Sequence, residues 1–220
     1  MSQYAANISF LLRKSQLDAG RLSAEMGIKD LARPLPDDIP HIADKFSLTT
    51  DLLLKTDLEL REEQRNKEIK LVIFDVDGVL TDAGIYYTEK GDELKRFDAQ
   101  DGIMIRRLKR NGIESGILSH GYTQTIIAKR AEVLLIGRVE VSQVPKMETL
   151  KKWCAELNIG LENVCFMGDD INDEEVLREV GFSVCPANAV ASIKNIVHVV
   201  LTKKGGAGAV RELIDLYLLG

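Results

Sequence analysis

The chain has 220 residues, of which 45% are hydrophobic and 29% are charged, and its net charge is −5. This composition is typical of a globular protein of one or two domains and excludes a disordered or fibrous chain. The acidic balance argues against a nucleic-acid-binding surface spread over the whole protein.

Targeting signals are not evident in the sequence. No apolar run approaches the roughly 20 residues that a membrane-spanning helix needs, so we expect no membrane partner. The N-terminus lacks the basic and apolar segments of a signal peptide. Three cysteines, Cys154, Cys165 and Cys185, are odd in number and lack metal-type spacing. We interpret them as buried thiols of a cytoplasmic protein.

Residues 1–60 contain helical patches and no strand-like run. Three segments, Asn7–Lys14, Arg21–Ile28 and Ile42–Leu54, resemble helix-turn-helix domains of the Cro/repressor type. The predicted core of this small all-α module consists of ten apolar residues: Leu11, Leu12, Leu22, Met26, Ile42, Phe46, Leu48 and Leu52 to Leu54.

The resemblance lacks the part that would read DNA. The span Lys29–His41 is too short for a recognition helix with its loop, and Pro34, Pro36 and Pro40 interrupt it. Residues 1–66 hold nine basic and eleven acidic side chains, the wrong sign for phosphate contacts. We therefore predict a degenerate helix-turn-helix module for interaction or dimerisation and disfavour DNA binding.

The polar, charge-dense stretch Glu59–Glu68 is either an exposed helix or a linker. We place a linker at residues 61–68, between the module at 1–60 and a second domain at 69–220.

Short apolar runs alternate with amphipathic helical stretches in the second domain. The predicted strands are Lys70–Phe74, Glu114–Leu118, Val133–Ile136, Val164–Met167, Phe182–Cys185 and His198–Leu201. This alternation predicts an α/β fold, a three-layer Rossmann-like sandwich with a parallel sheet. Ligands bind such sheets at the carboxyl ends of the strands.

Polar residues follow the predicted strands at these ends. Asp75 and Asp77 follow the first strand, Ser119 follows the second, and Lys146 opens a later helix. The sequence Gly-Asp-Asp-Ile-Asn-Asp at 168–173 follows the fourth strand. Carboxylates, a hydroxyl and an ammonium group at one sheet edge point to a reaction with charged substrates.

These residue types suit phosphoryl transfer. A carboxylate can attack phosphorus, and a second carboxyl can protonate the leaving alkoxide and then activate water. A divalent cation held by oxygen ligands reduces the repulsion between carboxylate and phosphate, which favours Mg²⁺. A hydroxyl, backbone N–H groups and a lysine can neutralise the phosphoryl oxygens.

The ordered motifs Asp75–Thr81, Ser119, Lys146 and 168–173 resemble those of haloacid dehalogenase-type phosphatases. The resemblance implies that Asp75 is the nucleophile and a Mg²⁺ ligand, and that Asp77 is the general acid/base. Asp77 would also lend its backbone carbonyl to the metal. Asp169 would be a metal ligand, with Asp170 and Asp173 in support.

Further segments narrow the resemblance to the 3-deoxy-D-manno-octulosonate 8-phosphate phosphatases: 84–87, 91–95, Phe97, 101–102 and 205–212. It implies that Ser119 and Lys146 bind the phosphoryl group. We place Asp101, Gly102 and Arg211 among the substrate contacts. The implied activity is hydrolysis of a phosphorylated sugar acid in lipopolysaccharide biosynthesis.

The intervals between the motifs leave no room for a cap domain, which needs roughly 60 residues or more. Asp77 and Ser119 are 42 positions apart, and Lys146 and Asp169 are 23 apart. We expect a β-hairpin flap over 84–97, turning at 89–92. The resemblance implies a homotetramer whose hairpins and C-terminal tails cover neighbouring sites. The segment 203–208 is either the mobile base of such a tail or a plain glycine-rich turn.

The chain departs from the family at the second motif. Relatives have Thr-Gly-Arg where this chain has Ser119, His120 and Gly121. The hydroxyl that would bind phosphate is retained, but the arginine is lost. Since a guanidinium can bind an anionic group of the substrate, the motif supports the reaction class more firmly than the identity of the substrate. His120 and Gly121 are candidate substrate contacts. Two alternatives remain open: a phosphatase of nine-carbon sialic-type 9-phosphates and a DNA-binding regulator that senses a sugar phosphate.

Overall fold

The computed structural model describes residues 2–219, and the chain divides into two compact units at 1–66 and 67–220. Within the described part, no helix is both long and apolar enough to cross a membrane. The first unit is helical throughout its described elements, which are α1 (Gln3–Ser15), α2 (Ala19–Met26), α3 (Asp38–Lys45), α4 (Thr50–Lys55) and α5 (Leu58–Asn66).

Capping residues at the helix ends explain the boundaries of α1 and α2. The Ser2 and Asp18 side chains accept hydrogen bonds from the first turns, and Gly27 ends α2 in the left-handed conformation. All ten predicted core residues pack in or against the apolar core of this unit, so that prediction is confirmed.

The buried Asn7 side chain connects three helices. Its amide nitrogen donates to the carbonyl oxygens of Leu53 at 2.9 Å and Thr56 at 2.7 Å. Its amide oxygen accepts from the backbone N–H of Leu58 at 3.0 Å. One polar side chain thus satisfies the end of α4 and the start of α5.

The N-terminal unit differs from the sequence predictions at its end. Residues 61–66, which we predicted as linker, continue helix α5, and Gln64 within them is buried. Of the two interpretations of this charged stretch, the structure therefore corresponds to the helix as far as Asn66. Residues 27–37 form turns without a helix, and the helix-turn-helix relationship stays a prediction.

The second unit contains a six-stranded parallel sheet and a separate two-stranded hairpin. In chain order the strands are β1 (Leu71–Phe74), β2 (Tyr86–Tyr87), β3 (Glu93–Leu94), β4 (Glu114–Ser119), β5 (Arg138–Val141), β6 (Val164–Met167), β7 (Phe182–Cys185) and β8 (Val199–Val200). The helices are α6 (Ala99–Arg110), α7 (Gln124–Leu134), α8 (Lys146–Leu157), α9 (Glu174–Glu179), α10 (Ala191–Lys194) and α11 (Ala209–Leu213).

The sheet order is β5-β4-β1-β6-β7-β8. The central strand β1 pairs with β4 and β6 in register, so that Phe74 lies opposite both Ile117 and Met167. Strands β1 and β6 are buried throughout, as expected of a sheet with helices on both faces. This confirms the predicted three-layer α/β fold, and its order brings the ends of β4, β1 and β6 side by side.

One predicted strand was wrong. Val133 and Leu134 end helix α7, and Leu135 terminates it in the left-handed conformation. The run is apolar because Ile127, Ala131 and Leu134 form the buried face of the helix. The strand that follows this helix is β5, a half-buried edge strand that includes charged residues.

The predicted hairpin is confirmed as β2-β3. The Thr88 N–H donates to the Asp92 carbonyl oxygen at 2.9 Å, and Gly91 takes the positive φ that closes the turn. Between Asp77 and Ser119 the chain otherwise forms the turn at Val76–Leu80 and helix α6. The fold therefore has no cap domain, as predicted. In the sequence the hairpin flap lies between Asp77 and Ser119, two residues of the predicted site.

Candidate active site

Four chain segments bring the predicted catalytic side chains together at the carboxyl edge of the sheet. Asp75 directly follows β1, Ser119 is the last residue of β4, Lys146 is the first of α8, and Asp169 follows β6. Since β1 lies between β4 and β6, these ends are neighbours in space.

The loop after β1 is held close to the loop after β6. The Asp75 N–H donates to the Met167 carbonyl oxygen at 3.0 Å. Gly78 adopts a positive φ, and a Cβ at that position would lie 1.9 Å from Asp169 Oδ2. Only glycine therefore lets these two acidic loops approach so closely.

Lys146 binds two buried carboxylates at the base of the site. Its Nζ lies 2.6 Å from Asp75 Oδ1 and 2.6 Å from Asp173 Oδ1. All three side chains are at most 7% exposed. The pKa of Lys146 is raised because these carboxylates outweigh the effect of burial, which by itself would lower it. The Lys146 ammonium group is therefore a fixed positive charge at the base of the site.

Asp173 has a larger role than the sequence indicated. Its Oδ2 accepts from the backbone N–H groups of Asp169 at 3.0 Å and Asp170 at 3.5 Å, which fixes the acidic loop. Carboxylate oxygens of Asp75, Asp169 and Asp173 lie within 4.8 Å of one another. We predicted Asp75, Asp77 and Asp169 as metal ligands and Asp173 only as support. The cluster of three carboxylates contains Asp173 and does not contain the side chain of Asp77. For Asp77 we predicted a contact with the metal only through its backbone carbonyl.

The electrostatics of this cluster fit a bound cation. Burial, opposed by Lys146 and reinforced by Asp173, raises the pKa of Asp75 to about 7. Burial and the nearby carboxylates raise the pKa of Asp169 to about 8. One ammonium faces three carboxylates, and a divalent cation would offset the remaining negative charge. Three carboxylates offer the all-oxygen donor set that suits Mg²⁺.

Asp77 is bound by the flap. Its Oδ1 accepts from Lys95 Nζ at 2.7 Å and from Thr81 Oγ1 at 3.3 Å. Lys95 Nζ also lies 2.8 Å from Glu93 Oε1, and Glu93 Oε2 accepts from the Thr123 hydroxyl. The pKa of Glu93 is lowered by its hydrogen bonds to Lys95 and Thr123.

Sequence reasoning did not single out Glu93 and Lys95 as site residues. The available signal was their spacing, since residues two apart on a strand share one face. Two oppositely charged side chains on the same face of a predicted flap indicate that this face meets other polar groups.

A cavity of about 400 Å³ opens above the cluster. Several predicted residues line it: Asp75, Asp77, Ser119, His120, Gly121, Asp169 and Asp170. The flap contributes Ile85, Tyr87, Glu93 and Lys95 to its wall. The site therefore combines a buried charged base with a wall supplied by the hairpin.

The second-motif loop has a defined local structure. The Gly121 N–H donates to Ser119 Oγ at 3.0 Å. His120 Nε2 lies 3.1 Å from the Val144 carbonyl oxygen, and Gln143 Nε2 donates to the His120 carbonyl oxygen at 2.7 Å. These bonds connect the ends of β4 and β5 at the rim of the cavity.

Three predicted substrate contacts lie away from the cavity lining. The buried Asp101 carboxylate accepts from the backbone N–H groups of Arg211 at 2.8 Å and Gly208 at 3.3 Å, and so caps α11. The Arg211 side chain donates to Asp215 at 3.1 Å. Gly102 packs against Arg130 and Leu134. Within this chain these residues are structural, and their contact with substrate stays a prediction.

The glycine-rich segment before α11 is buried against the loop after β1. The Gly206 N–H donates to the Val79 carbonyl oxygen at 3.0 Å. Asn188 connects the segments, donating to the Gly78 carbonyl oxygen at 3.1 Å and accepting from the Gly205 N–H at 2.7 Å. Of our two interpretations of this segment, the structure corresponds to the glycine-rich turn.

Comparison with known proteins agrees with this geometry. Residues 124–214 match the sequence profile of haloacid dehalogenase-like hydrolases. Over 156 residues the chain is 39% identical to the 3-deoxy-D-manno-octulosonate 8-phosphate phosphatase of Yersinia pestis. That match covers 71% of this chain and 83% of the relative.

Solved structures of such enzymes have the same fold. The 3-deoxy-D-manno-octulosonate 8-phosphate phosphatase of Moraxella catarrhalis was solved in complex with a magnesium ion, a phosphate ion and a KDO molecule. It matches with a TM-score of 0.68 at 33% identity, over 72% of this chain and 90% of that one. A cobalt-bound deoxy-D-mannose-octulosonate 8-phosphate phosphatase from Haemophilus influenzae matches with a TM-score of 0.65 at 31% identity, over 72% and 89%.

Proposed function

The chain belongs to the haloacid dehalogenase-like hydrolases, in the family of the 3-deoxy-D-manno-octulosonate 8-phosphate phosphatases, and we propose that it is a Mg²⁺-dependent phosphatase of a sugar-acid phosphate. The proposed substrate is 3-deoxy-D-manno-octulosonate 8-phosphate or a close relative. The observation that carries this proposal is the Asp75 carboxylate, held 2.6 Å from Lys146 beside Asp169 and Asp173 at the base of one cavity.

Asp75 is the proposed nucleophile. Its carboxylate oxygen forms a bond to phosphorus while the bond from phosphorus to the sugar oxygen breaks, which leaves an aspartyl-phosphate. Asp77 gives its proton to the departing sugar oxygen. Asp77 then takes a proton from water, whose oxygen attacks phosphorus, releases inorganic phosphate and regenerates the Asp75 carboxylate.

The charges around Asp75 support this assignment. Lys146 holds the carboxylate in place and brings positive charge to the phosphoryl group. Ser119 Oγ accepts from the Gly121 N–H and lies at the cavity wall, where its hydroxyl is the proposed donor to a phosphoryl oxygen. When bound, Mg²⁺ supplies positive charge that reduces the repulsion between Asp75 and the phosphate dianion. Asp75, Asp169 and Asp173, with the Asp77 carbonyl, are the residues that would hold it.

The choice of substrate rests on the relatives, whose names specify 3-deoxy-D-manno-octulosonate 8-phosphate. His120 and Gly121 stand where the family has Gly-Arg, so one guanidinium that could bind an anionic group is missing. A nine-carbon sialic-type 9-phosphate is therefore the alternative within the same reaction class.

We also propose a homotetramer in the cytoplasm. The hairpin exposes Tyr86, Tyr87 and Leu94, each more than half exposed, and an isolated two-stranded hairpin is marginally stable. The three cysteines are free thiols, as a reducing compartment would leave them. The helical unit at 1–66 is proposed as an interaction module, since residues 27–37 form turns where a recognition helix would be.

The test is phosphate release with Mg²⁺ over a small panel. The panel holds 3-deoxy-octulosonate 8-phosphate, a nine-carbon sialic-type 9-phosphate, a simple sugar phosphate and p-nitrophenyl phosphate. We expect preference for one sugar acid and no turnover by Asp75→Asn. Activity on the aryl ester alone would retain the chemistry and reject the substrate. Unchanged turnover by Asp75→Asn would reject the mechanism.

A further inference from the structure

Lys95 is a buried cation on the flap that no role proposed above requires. Its side chain is 2% exposed, although it belongs to a hairpin whose aromatic residues are largely exposed. Burying an ammonium group is costly unless it is paired. Lys95 is paired twice, with Asp77 Oδ1 at 2.7 Å and Glu93 Oε1 at 2.8 Å.

One partner of Lys95 is Asp77, the proposed general acid/base. Lys95 binds only Oδ1 of the two Asp77 carboxylate oxygens. Asp77 Oδ1 also accepts from Thr81 Oγ1 at 3.3 Å. Among residues 2–219 no hydrogen bond reaches Asp77 Oδ2. Oδ2 faces the second-motif loop, since a Cβ on Gly121 would lie 3.8 Å from Oδ2 and 3.2 Å from Ser119 Oγ.

We propose that Lys95 is a positioning residue, which holds Asp77 Oδ1 so that Oδ2 carries the transferred proton toward the substrate. This inference rests on the proposed function. The side chain of Asp77 is 32% exposed, so burial alone does not fix its position. An anchor on Oδ1 reduces its rotational freedom and holds the proton on Oδ2 within reach of the leaving oxygen.

The anchor is itself held by Glu93, which in turn is bound by the segment that precedes α7. Glu93 is 12% exposed and binds Lys95 on one side and the Thr123 hydroxyl, before α7, on the other. The chain of contacts thus runs from the α7 segment through the flap to Asp77. A lysine held at two points positions its partner more sharply than one held at a single point.

The experiment compares two leaving groups in one active site. An alkyl phosphate, the preferred sugar phosphate of the panel, needs a proton on its leaving oxygen. The p-nitrophenyl ester leaves as a stable anion and needs little protonation. The value of kcat/KM for both esters is measured for wild type, Asp77→Asn, Lys95→Met and the double variant. Lys90→Met, an exposed lysine in the turn of the same hairpin, is the matched control.

General acid catalysis is worth about 10²- to 10⁴-fold, so we expect Lys95→Met to lower kcat/KM on the alkyl ester by about tenfold or more. On the aryl ester we expect kcat/KM to change by no more than about threefold, because kcat/KM reports the steps up to departure of the leaving group, which needs little protonation there. The kcat values of both esters fall together where the second step limits turnover, because Asp77 also takes the proton from water in that step. The double variant should be no slower than Asp77→Asn, since both changes remove one function. Lys95→Arg should restore part of the alkyl turnover.

Equal losses in kcat/KM on both esters, or losses in kcat/KM that add to those of Asp77→Asn, would overturn the inference and leave Lys95 as a structural support of the flap. If Lys95→Met does not fold, Lys95→Gln provides the same comparison, because its side chain is shorter and carries no charge to hold Asp77 Oδ1. A wild type that is silent on both esters would reject the proposed function itself, which distinguishes the two failures.

Discussion

The backbone oxygen of Gly78 lies where a side chain on Gly205 would have to begin: a Cβ on Gly205 would be 1.8 Å from it. Gly78 belongs to the loop that follows Asp75, and Gly205 lies 127 positions further along the chain. The contact links the proposed nucleophile loop to the segment that leads into α11. A backbone oxygen cannot swing aside as a side chain can, so any substituent must displace the loop.

Gly205→Ala should therefore impair both stability and turnover. Overpacking a close contact typically costs about 1–3 kcal/mol, and the displaced loop follows Asp75 and carries Asp77. We expect a lower melting temperature and at least several-fold lower kcat. Gly137→Ala is the control, because a Cβ there would meet only a side-chain oxygen at 3.7 Å. Wild-type values for Gly205→Ala would contradict this account of the contact.

Lys146→Met should remove the positive charge at the base of the site. Breaking a buried ion pair on one side costs about 3–5 kcal/mol, because the carboxylates remain buried. Losing a preorganised charge near the phosphoryl group lowers kcat by about 10²- to 10³-fold. Chemical denaturation and steady-state turnover measure the two effects. Lys151→Met, exposed on the same helix, should behave as wild type. Turnover within twofold of wild type would remove Lys146 from the site.

Asp173→Asn should weaken the response to Mg²⁺. The substitution removes one of three clustered charges and places an amide where Oδ2 accepts from two backbone N–H groups. Disturbing groups that orient metal ligands typically costs about 10- to 100-fold in affinity. The measurement is the Mg²⁺ concentration for half-maximal turnover. Glu175→Gln, exposed two positions later, is the control. An unchanged Mg²⁺ requirement would exclude Asp173 from the metal site.

Asp101→Ala tests whether the Asp101 carboxylate stabilises the fold or binds the substrate. The carboxylate caps α11 through the N–H groups of Gly208 and Arg211, so its loss should cost about 1–3 kcal/mol. KM for the sugar phosphate should stay near the wild-type value. Asp101→Asn retains an acceptor and should lose less stability. A large increase in KM without a change in melting temperature would instead support the substrate contact expected from the sequence.

His198 should make the fold less stable in mild acid. Burial, with a contribution from the charge of Lys67, lowers the pKa of His198 from its ordinary value of 6.5. Its Nδ1 accepts from the Ser183 N–H at 3.0 Å, which requires the neutral ring. Below pH 6.5 the unfolded chain therefore binds more protons than the folded chain, and stability falls as the pH decreases.

The measurement is the melting temperature at pH 7.5 and pH 5.5 for wild type and His198→Asn. Asparagine retains an acceptor near the position of Nδ1 but does not titrate. We expect the wild type to lose more on acidification than the variant. Equal losses would assign the acid sensitivity to other groups.

The strand-and-motif pattern of the second unit followed from the sequence because its signals are local. An apolar run such as Val164–Met167 must be buried on both faces, and the acidic loop must then lie at a strand end. The run Val133–Ile136 was misassigned because an apolar tetrapeptide suits a buried helix face as well as a strand. Only the packing of Ile127, Ala131 and Leu134 against the sheet decides between them.

The sequence by itself determined the residue types of the site and their order along the chain, and so the class of chemistry. The tertiary structure decided which groups meet. Asp173 joins the carboxylate cluster and Lys95 reaches Asp77, while Asp101 turns inward to cap α11. These outcomes depend on distances between segments far apart in the chain. Such distances are set by the order of strands in the sheet and by close backbone contacts such as that of Gly78 with Gly205, and no local pattern specifies them.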